Sequence, residues 1–147
     1  SAEKQLTKAL PRLARAAENP DLAAAFETHL EETQGQIERI DQVVDVLGIR
    51  LKRIKCAAME GLVEEGKEVI DAIDKGPVRD AALIGGAQKV EHYEIASYGT
   101  IAALAKQLGY KQALPLLLET LEEEKATDEK LTLLAKGGGK ARAAQGA

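Results

Sequence analysis

Acidic side chains that lie on the apolar faces of predicted helices are the features of this sequence best suited to chemistry. At 100° per residue, Glu91 and Glu94 lie within about 40° of the direction shared by the apolar residues around them. The same count places Glu124 and Asp128 on the apolar face of the last predicted helix. A buried carboxylate without a partner is unfavourable by several kcal/mol. We therefore expect these groups to be protonated, ion-paired or bound to a metal ion.

Candidate ligands also occur in the first half of the chain. Glu3 falls near the apolar stripe of the first predicted helix, and His29 lies near the stripe of the second. Glu32 and Gln36 lie toward the edge of that second stripe. Each of the four long predicted helices therefore offers an inward oxygen or nitrogen atom.

Spacing along the chain brings these groups to one level of a helical bundle. Glu91 and Glu124 are 33 residues apart, and Glu3 and Glu32 are 29 residues apart. Each spacing corresponds to a helix, a turn and a return to the same height. The resulting ligand set is dominated by oxygen, which iron and manganese ions accept.

Several of these residues also have an interpretation without a metal. Glu91 and Glu94 can pair with Lys or Arg of neighbouring helices, and Glu91 can instead bond the hydroxyl of Tyr93 or Tyr98. Glu3 stands near a helix start, where the helix dipole favours an acidic residue in any case.

The remaining candidates have similar alternatives. Glu32 and Glu124 lie in acidic runs, which are typical of a solvated helix face. His29 is of a type that often serves as a hydrogen-bonded core or interface residue. His92 points about 100° away from Glu91, which favours the surface or a supporting position.

Composition and periodicity predict an all-α domain. Hydrophobic residues make up 45% of the 147 residues and aromatic residues only 3%, while Ala, Leu, Glu and Lys are abundant, which favours helices over sheets. The predicted helices run from the first residues to about 17, and then over about 21–47, 56–74, 78–108 and 112–136. They form one domain over 1–136, and we expect the Gly- and Ala-rich tail 137–147 to be flexible.

The order of these helices predicts a four-helix bundle. The short third helix lies between the second and third long ones, so it occupies a long crossover, and residues 49–55 form a linker before it. A single long crossover is the connectivity of ferritin-like folds. Pro11 conflicts with this pattern, because a proline inside a helix removes a backbone bond and is expected to bend or restart the helix.

Charge, hydropathy and cysteine content exclude several classes of partner. The net charge of −4 gives no global reason to bind nucleic acid. Apolar runs fall short of the roughly 20 residues that a membrane helix needs, and we expect no membrane partner and no signal peptide. Cys56 is the single cysteine, which fits a reducing, cytoplasmic location.

Four segments of the sequence carry a family likeness. They are AEKQL at 2–6, HLEET at 29–33, AQKVEHYEI at 87–95 and EEEKATD at 122–128, and the run VEHYEIASYGT at 90–100 is specific. With them the chain resembles the YciE/YciF family of bacterial stress-associated proteins, from Ser1 to about Lys136. This resemblance implies a ferritin-like fold related to rubrerythrin, a homodimer and a two-metal centre without a settled activity. In family terms the chain begins late, because members carry a further stretch before the helix of Glu3.

The resemblance also bears on individual residues. Glu91 and Glu94 resemble the two third-helix glutamates of rubrerythrin, which implies a metal-binding role for them. The Glu-x-x-His motif of the wider ferritin-like group is absent, because Gly35, Ala126 and Thr127 stand where its histidines would be. Redox iron chemistry is therefore less firmly indicated than the fold.

The predicted function is a ferritin-like stress protein with a carboxylate-rich dinuclear iron or manganese site that handles peroxide, oxygen or metal. The candidate ligands are Glu3, His29, Glu32, Glu91, Glu94, Glu124 and Asp128. Glu91 is expected to bridge, while His29 and Asp128 substitute for the missing histidines. Carboxylate ligands favour the higher oxidation state, so we expect weak, slow ferrous oxidation that depends on an external reductant. The alternative is a non-catalytic helical dimer whose buried carboxylates are structural.

We also expect a homodimer from the surface of the short helix. Closed two-fold dimers are the commonest homo-oligomers. This helix carries one apolar stripe, which can contact both the bundle and a partner, formed by Met59, Leu62, Val63, Val69 and Ile70.

Overall fold

The computed structural model describes residues 1–137, and this part of the chain is helical without strands. Its helices are α1 (Ala2–Ala16), α2 (Pro20–Leu47), α3 (Ala57–Ala72), α4 (Pro77–Gln107) and α5 (Ala113–Ala135). Each lies within a few residues of its predicted range, so the all-α prediction is confirmed. The predicted flexible tail lies outside the described residues, apart from Gly137.

Local sequence signals explain where α2 begins and ends. The Asn19 side chain accepts a hydrogen bond from the Asp21 N–H, and Pro20 occupies the first turn, where its missing donor is not needed. Gly48 ends the helix with a φ of 62°, a left-handed conformation that glycine adopts without a steric penalty. Residues 49–56 then connect to α3 without helix or strand, as the linker prediction requires.

Pro11 does not end α1. The helix continues from Ala2 to Ala16 through the proline, so it does not restart there, and the bend stays a prediction. Pro11 removes one backbone donor, but Leu6 and Leu10 on the same helix are each only 2% exposed. Burial of this apolar face outweighs the single lost hydrogen bond.

The four long helices form the bundle that positions the candidate site. The helix α1 packs against α2, α2 against α5, and α5 against α4, while α3 contacts α1 and α4. Since α3 lies in the crossover between α2 and α4, the predicted four-helix bundle with a short crossover helix is confirmed.

Two apolar clusters fill the bundle, one on each side of a polar layer. The first includes Leu6, Leu10, Leu22, Phe26, Met59, Leu83, Val90 and Leu131. The second contains Tyr98, Ala102, Ala105, Leu117 and Leu121. On α2, α4 and α5 the buried residues His29, Glu91, Glu94 and Glu124 lie between the positions that contribute to these clusters. The polar side chains are therefore shielded by apolar packing in both directions along the bundle.

Candidate metal centre

Five buried residues from the four long helices form two overlapping groups of ligand atoms. One group is His29, Glu91 and Glu124, and the other is Glu3, Glu94 and Glu124. Within each group, one potential ligand atom of each residue lies within 4.8 Å of the others. Glu124 belongs to both groups, whereas the sequence led us to expect Glu91 as the shared carboxylate.

All five side chains are removed from solvent, with exposures of at most 4%. Glu3 lies in the first turn of α1, His29 is on α2, and Glu124 is on α5. Glu91 and Glu94 are three residues apart on α4, so they lie on one face of that helix. Helical periodicity thus placed these five residues on inward faces, and the fold brings them together.

Most polar atoms of this layer make no hydrogen bond of good geometry with the described residues. They are Glu3 Oε2, His29 Nδ1 and Nε2, Gln36 Oε1, Glu91 Oε2, both carboxyl oxygens of Glu94 and both of Glu124. Buried polar atoms without partners are rare in folded proteins, and each calls for an explanation such as an ion or water. Here almost all of them belong to residue types that bind metals.

His29 lies between two carboxylates. Its Nε2 is 2.9 Å from Glu91 Oε1, and its Nδ1 is 3.6 Å from Glu32 Oε2. Burial alone lowers the pKa of the His29 imidazole, but the carboxylates of Glu32 and Glu91 raise it to about 10. In the metal-free protein His29 is therefore a cation that offsets part of the carboxylate charge.

The pKa values of Glu3, Glu94 and Glu124 are raised above the usual range of a glutamate. Burial, followed by the nearby charge of Glu3, raises the pKa of Glu94 to about 9. Burial is also the main cause that raises the pKa of Glu124, with added contributions from Glu91 and Glu94, and burial raises the pKa of Glu3. Protons thus neutralise part of this layer when no metal cation does so.

Tyr98 bonds a different glutamate from the one expected. Its hydroxyl donates to Glu3 Oε1 at 2.5 Å, rather than to Glu91. Tyr93 also leaves Glu91 free, because its hydroxyl lies 3.1 Å from Cys56 Sγ. Within residues 1–137, Glu91 and Glu94 make no ion pair with Lys or Arg. The pairings with Lys or Arg, and those of Glu91 with a tyrosine hydroxyl, are therefore not observed.

Two predicted ligands, Glu32 and Asp128, remain outside both groups. Glu32 is 35% exposed and accepts a hydrogen bond from Thr127 Oγ1 at 3.2 Å. Asp128 accepts from Gln88 Nε2 at 3.3 Å, and its Oδ1 is 3.2 Å from Nε2 of the exposed His92. Glu32 can orient His29, whereas Asp128 and His92 lie away from the buried layer.

The polar contacts beside this layer were largely missed by the sequence analysis. Gln36 was placed at the edge of a stripe, yet it is fully buried and its Nε2 donates to Glu123 Oε1 at 3.2 Å. Arg39 makes two short bonds to the same Glu123 carboxylate, of 2.6 and 2.7 Å. The seven-residue step from His29 to Gln36 puts both on one helix face and is the one signal that pointed to this position.

A cavity of about 100 Å³ adjoins the His29 and Glu91 side of the layer. Its walls are largely apolar, with Leu10 and Phe26 among them, and Lys130 contributes a polar group. A space of this size accommodates a few water-sized molecules. Dioxygen and hydrogen peroxide are small enough to enter such a space.

Within residues 1–137, none of the helices combines the length and apolar character that a bilayer crossing requires.

Comparison with known proteins places the chain in a family. Residues 1–144 match the family described as a domain of unknown function, DUF892. Protein YciF of Escherichia coli strain K12 is 68% identical over 136 residues, which are 92% of this chain and 82% of that protein. The chain belongs to the DUF892 family. The resemblance to YciE/YciF is therefore confirmed.

Solved structures of family relatives have the same fold. The crystal structure of the Escherichia coli stress protein YciF matches with a TM-score of 0.89 and 68% identity, over 92% of this chain and 86% of that chain. YcfI from Rhodopseudomonas palustris, described as a proposed structural protein, matches with a TM-score of 0.86 and 47% identity, over 89% of this chain and 83% of that chain. The DUF892 fold of this chain is thus an all-helical bundle.

Proposed function

We propose that this DUF892 protein is a ferritin-like metal-binding protein with a dinuclear iron or manganese site in its buried polar layer. The observation that carries the proposal is the convergence of four buried carboxylates and one buried imidazole from four helices, with most of the carboxylate oxygens lacking a hydrogen bond. A layer of this kind is unfavourable when empty, since buried charges need a partner. A cation supplies that partner for every residue of the layer at once.

Charge balance supports two divalent ions rather than one. Four carboxylates, from Glu3, Glu91, Glu94 and Glu124, face one another in the layer. Two divalent cations neutralise four carboxylates when His29 is neutral, as a metal-bound imidazole must be. One ion is assigned to His29 and Glu91, the other to Glu3 and Glu94, and Glu124 serves both.

The donor set favours iron or manganese. It contains carboxylate oxygens and one imidazole, with no thiolate in either group. Oxygen-rich sites of this kind suit manganese and iron, whereas thiolate sites select zinc and copper(I). The absence of the two imidazoles that Glu-x-x-His motifs supply leaves a more anionic site, which favours the higher oxidation state.

Iron or manganese bound in this layer supplies redox chemistry toward dioxygen or hydrogen peroxide. The residues of the chain have separate tasks around it. Tyr98 fixes Glu3 through its hydrogen bond, and Glu32 is placed to orient His29. The small cavity beside Glu91 limits access to small molecules, and the two apolar clusters keep bulk water away.

The stress protein YciF, to which this chain is similar, supports a role of this kind under stress. Turnover requires an external reductant, because the chain has one cysteine and no second thiol to supply electrons as a dithiol. That lone cysteine also supports the cytoplasm as the compartment.

Metal analysis of protein purified without chelator tests the proposal. We expect up to two iron or manganese ions per chain, and loss of both when Glu91 and Glu94 are both replaced by Ala. Glu122→Gln is the matched control, because Glu122 lies near Glu124 on α5 but is 69% exposed and pairs with Lys125. Mixing ferrous protein with peroxide should then give a slow absorbance change that Glu94→Ala abolishes.

A structural role is the second candidate, and the description of YcfI as a proposed structural protein favours it. In that case the protein is a non-catalytic helical dimer whose buried carboxylates stay protonated. Protein that contains no iron or manganese after growth in supplemented medium, and that binds neither ion on titration, would establish this second function and overturn the first.

We also propose a homodimer in both cases. Ile101, Leu104 and Leu108 form an apolar stripe on α4 with exposures of 46%, 51% and 63%. Contiguous exposed apolar surface is typical of an interface. The α3 stripe contacts the bundle, as expected, with Met59 fully buried and the other four residues partly buried. The exposed residues of α4 therefore offer more apolar surface to a second copy.

A further inference from the structure

A groove of about 450 Å³ lies between α1, α3 and α4, apart from the buried polar layer. Its size falls within the range of small-molecule sites. Its apolar lining comes from all three helices and includes Leu6, Leu13, Leu62, Val69, Ile70, Leu83 and Val90. The groove is therefore an apolar compartment that the crossover helix closes on one side.

Side-chain hydrogen bonds to backbone carbonyls fix the two ends of α3 beside this groove. At one end, Gln5 Nε2 donates to the Cys56 carbonyl at 3.0 Å. At the other, Arg79 donates to the carbonyls of Ile73 and Ile70 at 2.6 and 3.0 Å. Between these anchors Met59 is the single fully buried residue of α3. The middle of α3 thus covers the bundle without filling the space beneath it.

Two glycines leave space in this groove because they have no side chains. Gly66 of α3 and Gly86 of α4 both line it. A Cβ added at Gly66 would meet Leu13 at 3.8 Å, whereas a Cβ at Gly86 would meet nothing within 4 Å. Both glycines lie inside helices, where glycine is less stable than alanine by about 1 kcal/mol. Open space in place of side chains is the arrangement expected where a ligand occupies the groove.

The rim of the groove on α1 is cationic. Lys8, Arg12 and Arg15 line the groove and are exposed at positions four and three residues apart, so they share one side of the helix. Within residues 1–137, none of the three forms an ion pair. Lys89 and Glu65 on the opposite side instead pair with each other at 3.1 Å. One edge of an apolar groove therefore carries three unneutralised positive charges.

We propose that this groove binds a single-chain anionic amphiphile of the fatty-acid class. The alkyl chain lies along the apolar floor past Gly86, and the carboxylate is held by Lys8, Arg12 and Arg15. Apolar burial supplies most of the affinity, and the cations select a negatively charged head group over a neutral one. The site is independent of the proposed metal centre, although Leu6, Leu13, Ala87 and Val90 line both cavities.

Titration with sodium dodecanoate, followed by calorimetry, tests the proposal with adjacent glycines as a matched pair. Gly86→Leu fills the groove and should weaken binding at least about tenfold. Gly85→Leu makes the same change one residue earlier on α4, where the position is exposed and does not line the groove, so its affinity should equal that of the wild type. Equal affinity of the two variants for dodecanoate, or no binding by the wild type, would overturn the proposal.

The cationic rim is tested separately, so that a fold defect in Gly86→Leu leaves a second measurement. Lys8→Ala and Arg12→Ala should each weaken dodecanoate binding about two- to fivefold, while Lys106→Ala on an exposed part of α4 should leave it unchanged. Dodecanol should bind to the wild type more weakly than dodecanoate does. Its affinity for Lys8→Ala, Arg12→Ala and Lys106→Ala should equal its affinity for the wild type. Tighter binding of dodecanol would contradict the charge selection. If Gly86→Leu is a monomer in solution and Gly85→Leu is a dimer, the groove binds a second copy of the chain, and the fatty-acid proposal is overturned.

Discussion

Tyr98 Oη lies 2.5 Å from Glu3 Oε1, and this hydrogen bond joins residues 95 positions apart in the sequence. It connects the first turn of α1 to the middle of α4 across the buried polar layer. Burial raises the pKa of Tyr98, so the hydroxyl stays protonated and acts as a donor. Tyr98 therefore holds Glu3 at the layer whether or not a cation is bound.

Tyr98→Phe should destabilise the metal-free protein by about 1–3 kcal/mol, because it leaves Glu3 Oε1 buried without a partner. Urea unfolding followed by circular dichroism measures this change. Tyr110→Phe is the control, since Tyr110 is 44% exposed, and its removed hydroxyl leaves no buried acceptor. Equal stability of Tyr98→Phe and Tyr110→Phe would show that the bond to Glu3 contributes nothing to the fold.

The helices were predictable because residues near each end determine where a helix begins and stops. Asn19, Pro20 and Gly48 are helix-boundary signals that need no knowledge of tertiary structure. The effect of Pro11 was not predictable in this way. Whether a helix continues through a proline depends on how well its apolar face is packed, and that is a property of the assembled bundle.

The sequence predicted on which side of each helix the candidate site residues lie, but not their position along the bundle axis. Helical periodicity gives the side of the helix on which a residue lies, and it correctly turned Glu91 and Glu124 inward. It also turned Asp128 inward, although Asp128 lies one turn further along α5 and reaches Gln88 instead of the layer. The position along the bundle axis depends on how the helices are aligned against each other. The same limit explains why Glu124, rather than Glu91, is common to both groups.

The proposed dimer predicts a specific effect of charge on α4. Leu104→Glu should weaken self-association at least about tenfold, because it places a carboxylate in the apolar stripe. Light scattering at tens of micromolar should return a dimer for the wild type and a monomer for this variant. Ala103→Glu adds the same charge on an exposed position away from the stripe and should remain a dimer. A monomeric wild type would remove the dimer from the proposal.

The metal-free protein should lose stability as the pH rises. The pKa values of Glu94 and His29 are raised to about 9 and about 10, and those of Glu3 and Glu124 are also raised. Above the unfolded-state pKa of each group, the folded state binds more protons than the unfolded one, so the free energy of unfolding decreases with pH. The lowered pKa of Glu32 acts in the opposite direction, but only at pH values near and below the ordinary glutamate pKa of 4.5.

Thermal unfolding in chelator at pH 5.5, 7 and 8.5 measures this dependence. We expect a decrease of at least about 1 kcal/mol across the range, which corresponds to one pKa unit. Glu94→Gln should flatten the curve, since an amide has no proton to lose, whereas Glu122→Gln should follow the wild type. A wild-type stability that rises with pH in chelator would mean that the layer is ionised and stabilised without a metal.

The overlap of the two ligand groups predicts different metal stoichiometries for single variants. His29→Gln removes a ligand from one group and Glu3→Gln removes one from the other, so each should reduce bound metal from two ions per chain toward one. Glu124→Gln affects both groups and should lose both ions. It should also stabilise the metal-free protein, because an amide of the same size is always neutral, whereas the buried acid must take up a proton to become neutral.

Metal analysis after dialysis, together with urea unfolding in chelator, separates these cases. Glu122→Gln should keep two ions and the wild-type stability, and it controls for the loss of one negative charge on α5. Glu32→Gln, which changes a group that contacts His29 from outside the layer, should keep both ions but bind one of them about 10- to 100-fold more weakly. Two tightly bound ions in Glu124→Gln would show that Glu124 is not the shared ligand. Loss of both ions in His29→Gln would instead mean that the two positions fill cooperatively and cannot be assigned separately to the two groups.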